Sequence, residues 1–357
     1  MPMKNRGLQA VTAAVLFLPS LFMLAVVALP ARAQDGPPGR YKDLVFDRVS
    51  RSDDLVYGRA IDKPSGREVE LRLDLYEPVG DEASERPVFV FLFGGGFVAG
   101  NRKVEPQAYC ELMARRGYVA VAIDYRINQG NIATDGIPAA VADARQALAW
   151  LHENAAEHRL DPTRIILGGS SAGAITSLFT AYTDVERAPG DGASNVAAVL
   201  DLWGGLYTQV NEMETGEPPL AIVHGTRDTV VAFSEATKLR ERAEAVDIAY
   251  DWHPLEGAGH APYQPADTLA RVVPFFFEQL WTVRPPATAA PATATPAPPA
   301  TETTAPPATA TSAPTQAPTD VPPTDVPATA AAPTEVPSVY ALHLPYVLRR
   351  YAADDGS

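Results

Sequence analysis

The sequence is poor in cysteine and in positive charge, and each shortage excludes a class of protein. Cys110 is the only cysteine in 357 residues, so no disulfide can form within the chain. Its surroundings have a helical pattern and predict a small buried residue. The net charge of −14 argues against nucleic acids and anionic membrane surfaces as partners. Dense clusters of His and Cys are also missing, and we expect neither a metal nor a cofactor.

Residues 1–33 have the pattern of a targeting segment. Lys4 and Arg6 precede an apolar stretch, which is followed by a small-x-small site ending at Ala33. This order is typical of a secretory signal peptide that is cleaved after Ala33. Because the apolar stretch is long for a signal, an uncleaved membrane anchor is the alternative. We expect a secreted or cell-surface protein of a bacterium.

The C-terminal part of the chain has a composition unsuited to a packed core. Residues 285–337 hold 15 of the 34 prolines, mixed with Ala and Thr. Such a stretch buries too little apolar surface to offset its ordering entropy, which predicts a disordered, extended linker. Residues 338–357 form a short tail whose apolar part is too short to span a bilayer. The tail resembles the sorting or attachment segments of some bacterial secreted proteins; an ordinary disordered end is the alternative.

The remaining residues, 34–284, suit one domain with a large core. Apolar strand-like runs alternate there with helical patterns, which predicts an α/β fold with a mainly parallel, doubly wound sheet flanked by helices. Residues 41–76 are predicted to add antiparallel strands at one edge. The predicted strands are 86–93, 118–126, one after an Asp-Pro turn in 160–169, 196–205, 218–228 and 248–257, and the predicted helices are 104–116, 137–158, 172–187, 232–245 and 266–282.

A serine between glycines follows the strand in 160–169. Residues 169–173 read Gly-Ser-Ser-Ala-Gly and match G-x-S-x-G with Ser171 at the centre. The glycines allow the chain to reverse sharply from strand to helix, so that the serine hydroxyl is exposed in a strained turn. We therefore expect Ser171 to be a nucleophile and Ser170 to be structural.

A serine hydroxyl needs a base, and the base needs a carboxylate that orients it. Asp228 follows the strand that ends in His-Gly-Thr-Arg-Asp, and His260 follows the next strand in Gly-Ala-Gly-His. On a parallel sheet the carboxyl ends of the strands meet at one edge. The order Ser171, Asp228, His260 is the one expected for a triad on this kind of sheet.

Other residues compete for the roles of base and acid. His224 and His253 are the other candidates for the base, although the first ends a strand and the second lies inside one. Asp201 also follows a strand, and Glu256 is close to His260 in sequence. We favour His260 and Asp228 and leave these alternatives open.

Three consecutive glycines, Gly94–Gly96, follow the apolar strand 86–93. A tight turn explains one glycine well and three poorly. A tetrahedral intermediate requires preorganised donors for its oxyanion, and glycine lets backbone N–H groups approach a substrate closely. We expect Gly95 and Gly96, together with Ala172 after the nucleophile, to donate the N–H groups of an oxyanion hole.

Together these motifs resemble those of the α/β-hydrolases of the carboxylesterase/lipase superfamily. The resemblance is strongest to the secreted feruloyl and acetyl-xylan esterases and to hormone-sensitive-lipase-like enzymes. It implies an esterase with Ser171 as nucleophile, His260 as base, Asp228 as acid, and Gly95, Gly96 and Ala172 as oxyanion donors. Phe93 departs from the family, which usually has histidine before the glycines. The matching segments are FGGGF (93–97), DYR (124–126), Asp143, the DPTRI turn, GGSSAGA (168–174), HGTRD (224–228) and GAGH (257–260).

The loops available for a lid are short, so the resemblance implies a minimal cap and an open site. Phe97, Trp203 and Tyr207 are candidates to line it. An open site suits a small-molecule ester or an acyl or feruloyl ester on a polysaccharide. Two alternatives remain: a peptidase of the prolyl-oligopeptidase type, and a non-catalytic binding domain on the same fold.

Overall fold

A computed structural model of the chain describes residues 38–184, 196–262 and 264–283. The expected signal peptide, Pro-rich linker and C-terminal tail lie outside these residues and remain predictions. Within the described residues, no helix combines the length and the apolar character that a membrane span requires.

Eight strands form one sheet in the order β1-β2-β4-β3-β5-β6-β7-β8. The pairs β1–β2 and β2–β4 are antiparallel, and every other pair is parallel. The predicted mainly parallel sheet with antiparallel strands at one edge is thus confirmed. The strands are β1 (Val49–Asp62), β2 (Arg67–Pro78), β3 (Arg86–Leu92), β4 (Val119–Ile123), β5 (Leu160–Ser170), β6 (Ala198–Leu202), β7 (Leu220–Gly225) and β8 (Tyr250–Leu255).

Five α-helices in the described part of the chain connect and flank these strands, so both faces of the sheet are covered. Shorter helical turns lie at Ile132–Gly136, Tyr207–Glu212 and Glu278–Val283. The α-helices are α1 (Glu105–Ala114), α2 (Ile137–Glu153), α3 (Ala172–Tyr182), α4 (Phe233–Ala245) and α5 (Pro265–Phe277).

Strand β3 lies inside the sheet and is covered on both faces, so its sequence is a continuous apolar run and does not alternate between polar and apolar residues. All seven of its residues are buried. Successive side chains point to opposite faces, so Val88, Val90 and Leu92 join one hydrophobic cluster, whereas Phe89 and Phe91 join the other. Cys110 on α1 lies in the second cluster and is fully buried.

Some predicted boundaries were wrong. Helix α2 ends at Glu153, five residues before the predicted end, and α5 gives way to a π-helical turn after Phe277. The Asp161-Pro162 segment is not a turn before the strand but a bulge within β5, where pairing with β3 jumps from Leu160 to Ile165. There the Asp161 carboxylate accepts hydrogen bonds from the backbone and hydroxyl of Thr163.

The segment after β4 is held to the domain by an ion pair. Arg126 contacts the buried carboxylate of Asp143 on α2 at 2.7 Å, and its backbone N–H also donates to that carboxylate. At the tip of the β1–β2 hairpin, the backbone N–H of Lys63 donates to Gln129. The segment after β4 is therefore held at Arg126 by α2 and at Gln129 by the β1–β2 hairpin.

Candidate active site

Ser171 occupies a sharp turn between β5 and α3. Its backbone has φ 48° and ψ −114°, a conformation that non-glycine residues rarely adopt. The glycines on either side make this turn possible. A Cβ on Gly173 would lie 2.2 Å from the carbonyl oxygen of Leu92, and one on Gly169 would lie 2.5 Å from the backbone of Gly173. The start of α3 is thus packed so closely on β3 and β5 that no side chain fits at positions 169 and 173.

The three residues predicted as a triad form one hydrogen-bonded chain. The Oγ of Ser171 lies 3.0 Å from Nε2 of His260, and Nδ1 of His260 lies 2.7 Å from Oδ2 of Asp228. Because the carboxylate can only accept, Nδ1 carries the proton and Nε2 is left to accept the proton of the serine hydroxyl. The fold brings them together because β5, β7 and β8 all end at the same edge of the sheet.

The carboxylate of Asp228 is held in its charged form. Its Oδ1 accepts the backbone N–H groups of Val230 and Val231, at 2.8 and 3.0 Å. Burial acts to raise the pKa of Asp228, but hydrogen bonds from His224 and His260 outweigh it and lower that pKa below its usual value. An ionised Asp228 can stabilise the imidazolium that forms when His260 takes up a proton.

The competing candidates for base and acid lie elsewhere. His224 is fully buried behind Asp228, with its Nε2 3.2 Å from Oδ2 of that residue and 2.9 Å from the Val231 carbonyl oxygen. His253 pairs with Asp251 at 2.8 Å on β8. Among the histidines of the described chain, only His260 is hydrogen-bonded to the hydroxyl of Ser171.

The two other acidic candidates also lie apart from the base. Glu256 is exposed. Asp201 is fully buried, and its Oδ1 accepts the N–H of Gly204 at 2.8 Å. Asp201 interacts electrostatically with His224 and Asp228, and in the described structure the hydrogen bonds of His260 go to Asp228 and Ser171 instead.

The glycine loop lies directly on the nucleophile turn. A Cβ on Gly94 would lie 2.9 Å from Oγ of Ser170 and 3.5 Å from Cβ of Ser171. Gly95 and Gly96 have φ angles of 133° and 63°, which glycine adopts without strain. Within the described residues, the N–H groups of Gly95, Gly96 and Ala172 donate no hydrogen bond. All three are therefore free to bind a negatively charged oxygen beside Ser171.

Phe93 packs beneath this loop. Its ring stacks on that of Tyr125, with centroids 4.2 Å apart and an interplanar angle of 12°, and only 2% of Phe93 is exposed. A Cβ on Gly100 would lie 2.4 Å from this ring. The residue that departs from the family pattern is therefore part of the hydrophobic core.

Hydrogen bonds hold the glycine loop at several points, and sequence reasoning missed the residues that make them. The hydroxyl of Tyr125 donates to the carbonyl oxygen of Phe93 at 2.8 Å, and the N–H of Gly94 donates to Oε2 of Glu105 at 3.0 Å. Asn128 donates its backbone N–H to the carbonyl oxygen of Phe97 at 2.7 Å. Tyr125 was part of the DYR match, but nothing in the sequence marks Glu105.

The three aromatic residues predicted to line the site are buried. Exposed fractions are 2% for Phe97, 0% for Trp203 and 7% for Tyr207. Each has a positive φ, between 49° and 62°, and their side chains belong to the hydrophobic clusters. The Trp203 ring lies edge-on to the ring of His260, 6.5 Å away. These side chains therefore pack in the hydrophobic core, and their contact with a substrate stays a prediction.

Metal binding has no evident place in this arrangement. Over the residues that the structure describes, no group of three or more His, Cys, Asp and Glu side chains is placed to hold a metal ion. The expectation of a cofactor-free site remains a prediction.

Comparison with known proteins supports the fold and the type of site. Residues 73–215 match the family model BD-FAE, a segment that includes the glycine loop and Ser171 but ends before Asp228 and His260. The structure is similar to that of esterase 2 from Thermogutta terrifontis phosphorylated by paraoxon, with a TM-score of 0.56 and 26% identity. That match covers 64% of this chain and 93% of the other. The chain has the α/β-hydrolase fold and is similar to esterases in structure and in part of its sequence.

Curated relatives of the chain include esterases. Esterase LipC of Mycobacterium tuberculosis is 24% identical over 229 residues, which are 53% of this chain and 56% of LipC. A probable isoprenylcysteine alpha-carbonyl methylesterase of Oryza sativa is 33% identical over 137 residues, 38% of this chain and 31% of that protein. The chain thus spans about half or less of the length of these relatives.

Proposed function

We propose that the protein is a carboxylesterase that cleaves esters through an acyl-enzyme intermediate on Ser171. The observation that carries the proposal is the hydrogen-bonded chain from Ser171 through His260 to Asp228, next to three unpaired backbone N–H groups. The likeness to esterases in fold and sequence supports the same assignment.

In the proposed mechanism, the ester carbonyl carbon is attacked by Oγ of Ser171 while its proton passes to Nε2 of His260. Negative charge moves to the former carbonyl oxygen, where the N–H groups of Gly95, Gly96 and Ala172 stabilise it. When the tetrahedral intermediate collapses, the C–O bond of the ester breaks and the proton on His260 goes to the departing alcohol. Water then repeats the sequence on the acyl-enzyme, with His260 as base, and releases the carboxylic acid.

The oxyanion donors are the group on which the rate depends most. A single donor of this kind contributes roughly 3–4 kcal/mol to transition-state stabilisation when it is preorganised in a site that excludes water. The glycine loop meets this requirement because it is fixed by hydrogen bonds before any substrate is present.

Labelling by a fluorophosphonate tests the nucleophile directly, because the reagent reacts only with an activated serine. We expect the full-length protein to be labelled, and the label to vanish in Ser171→Ala. Ser170→Ala is the matched control, since Ser170 is the adjacent residue on β5 and is fully buried; it should keep the label. Labelling that survives in Ser171→Ala, or is absent from the wild type, would overturn the proposal.

For the substrate, we propose acyl or feruloyl esters, including those carried by polysaccharides. The segments that border the site hold only the short turns Ile132–Gly136 and Tyr207–Glu212, so the described residues provide no large cap over Ser171. Structures of the Thermogutta esterase carry propionate or butyrate, which supports small acyl groups as a minimum.

A panel of substrates separates these possibilities. We expect hydrolysis of aryl acetate and aryl butyrate, and release of acetate or ferulate from acetylated or feruloylated xylan. Activity on the soluble aryl esters alone would reject the polysaccharide proposal while leaving the esterase intact. Cleavage of dipeptide-proline amides in preference to both ester types would favour a peptidase instead.

We also propose that the enzyme is exported and works outside the cell. The proposal rests on the signal-like residues 1–33 and on the Pro-rich segment 285–337, which suits a spacer to a surface attachment. N-terminal sequencing of the protein recovered from medium or cell envelope should begin at Gln34. An intact Met1 in the cytosolic fraction would contradict export.

A further inference from the structure

One peptide bond in the glycine loop is held at both ends. The carbonyl oxygen of Phe93 accepts the hydroxyl of Tyr125 at 2.8 Å, and the N–H of Gly94, in the same peptide group, donates to Oε2 of Glu105 at 3.0 Å. This peptide directly precedes the N–H groups of Gly95 and Gly96. Fixing it restricts the movement of the loop that carries these two N–H groups.

The Glu105 carboxyl is unusual for a residue that only begins a helix. It opens α1, yet its Oε1 is shielded from solvent and its Oε2 accepts the Gly94 N–H. Burial raises the pKa of Glu105, and this rise is reduced by Ser170, by the Gly94 N–H and by the charge of His260. Burial of a carboxyl costs free energy, and its hydrogen bonds with Ser170 and the Gly94 N–H offset this cost only in part.

We propose that Glu105 is a positioning residue that, with Tyr125, orients the oxyanion loop of the proposed esterase. In this chain position 93 is the phenylalanine that stacks on Tyr125, and the loop is held from the other side by the carboxylate of Glu105. This inference rests on the proposed function. The inference adds Glu105, with its charge, to the three residues of the proposed triad.

Glu105 also places a negative charge close to the base. The titratable groups that interact with it are His260 and Tyr125. A negative charge near His260 favours the imidazolium form that exists during the transfer of the serine proton. Glu105→Gln would remove this charge while it keeps an acceptor for the Gly94 N–H.

Two substitutions separate orientation from charge. Glu105→Ala removes the acceptor of the Gly94 N–H, and we expect kcat to fall about 100-fold with little change in KM, as misplacement of catalytic groups does. Glu105→Gln keeps an acceptor oxygen, so most of the turnover should return. Glu111→Gln, an exposed carboxylate on the same helix, is the control and should change neither kcat nor KM.

A trifluoromethyl ketone inhibitor provides the readout that a merely structural role would not move. It forms a tetrahedral adduct with an active serine, so its affinity should fall in proportion to kcat/KM across the series. Wild-type values of kcat and inhibitor affinity in Glu105→Ala would overturn the inference, as would equal losses in Glu105→Ala and Glu105→Gln. Fluorophosphonate labelling of the wild type at Ser171 shows separately that the proposed function holds.

Discussion

Asp201 offers a direct test of the electrostatics behind the active site. Its side chain is fully buried, Oδ1 accepts the Gly204 N–H, and Oδ2 has no hydrogen-bond partner in the described structure. Burial raises the pKa of Asp201 to about 6; the charge of His224 acts against this rise, and that of Asp228 adds to it. The ionised form of Asp201 is thus disfavoured in the folded protein.

The sign and size of the effect on stability follow from this pKa. The carboxyl of the unfolded chain ionises near 3.8. Between this pH and 6 the folded state binds more protons than the unfolded state, so the contribution of Asp201 to the free energy of unfolding falls as the pH rises. A shift of about two pKa units corresponds to about 3 kcal/mol, which is fully developed above pH 6.

Asp201→Asn removes this titration and keeps an oxygen for the Gly204 N–H. The free energy of unfolding is measured by urea titration with tryptophan fluorescence. We expect the difference between Asp201→Asn and wild type to increase by about 3 kcal/mol, in favour of the variant, from pH 4 to pH 8. Asp47→Asn is the control, because Asp47 is exposed and the difference should stay small at both pH values. Parallel stability curves for Asp201→Asn and wild type would refute the reasoning.

Three further changes test the site and its support. Asp228→Asn should lower kcat by about 10³–10⁴-fold while a fluorophosphonate still labels the protein slowly, because the base loses its orienting carboxylate; undiminished kcat would assign the acid elsewhere. Gly173→Ala should abolish labelling, since its Cβ would lie 2.2 Å from the Leu92 carbonyl oxygen; a labelled, folded variant would contradict the packing. Phe93→His should leave the enzyme active but lower its melting temperature, through loss of the stacking on Tyr125; a more stable variant would show that the stacking contributes little.

The order of strands and helices was predictable because buried parallel strands are continuous apolar runs. Arg86–Leu92 and Val119–Ile123 fall inside the predicted ranges for this reason. The juxtaposition of Ser171, Asp228 and His260 followed from the same sheet, since each lies just beyond the carboxyl end of a strand. Periodicity and topology together therefore specify the edge where the site lies.

Other features depend on packing between distant segments and have no local signal. Glu105 opens an ordinary helix, and only the fold brings its carboxyl to the N–H of Gly94. Phe97 and Trp203 are buried and have positive φ angles, and nothing in a single sequence specifies either property at these positions. Their contact with a substrate stays a prediction.

The residues of the site follow strands that differ in how deeply they are buried. The nucleophile and the glycine loop follow β5 and β3, which pair with each other in the middle of the sheet. His260 follows β8, an edge strand with no fully buried residue. Local opening of this edge would separate the base from Ser171 while the central strands stay folded. On warming, hydrolysis should thus stop before the domain melts and return on cooling, and amide hydrogens of β8 should exchange faster than those of β3.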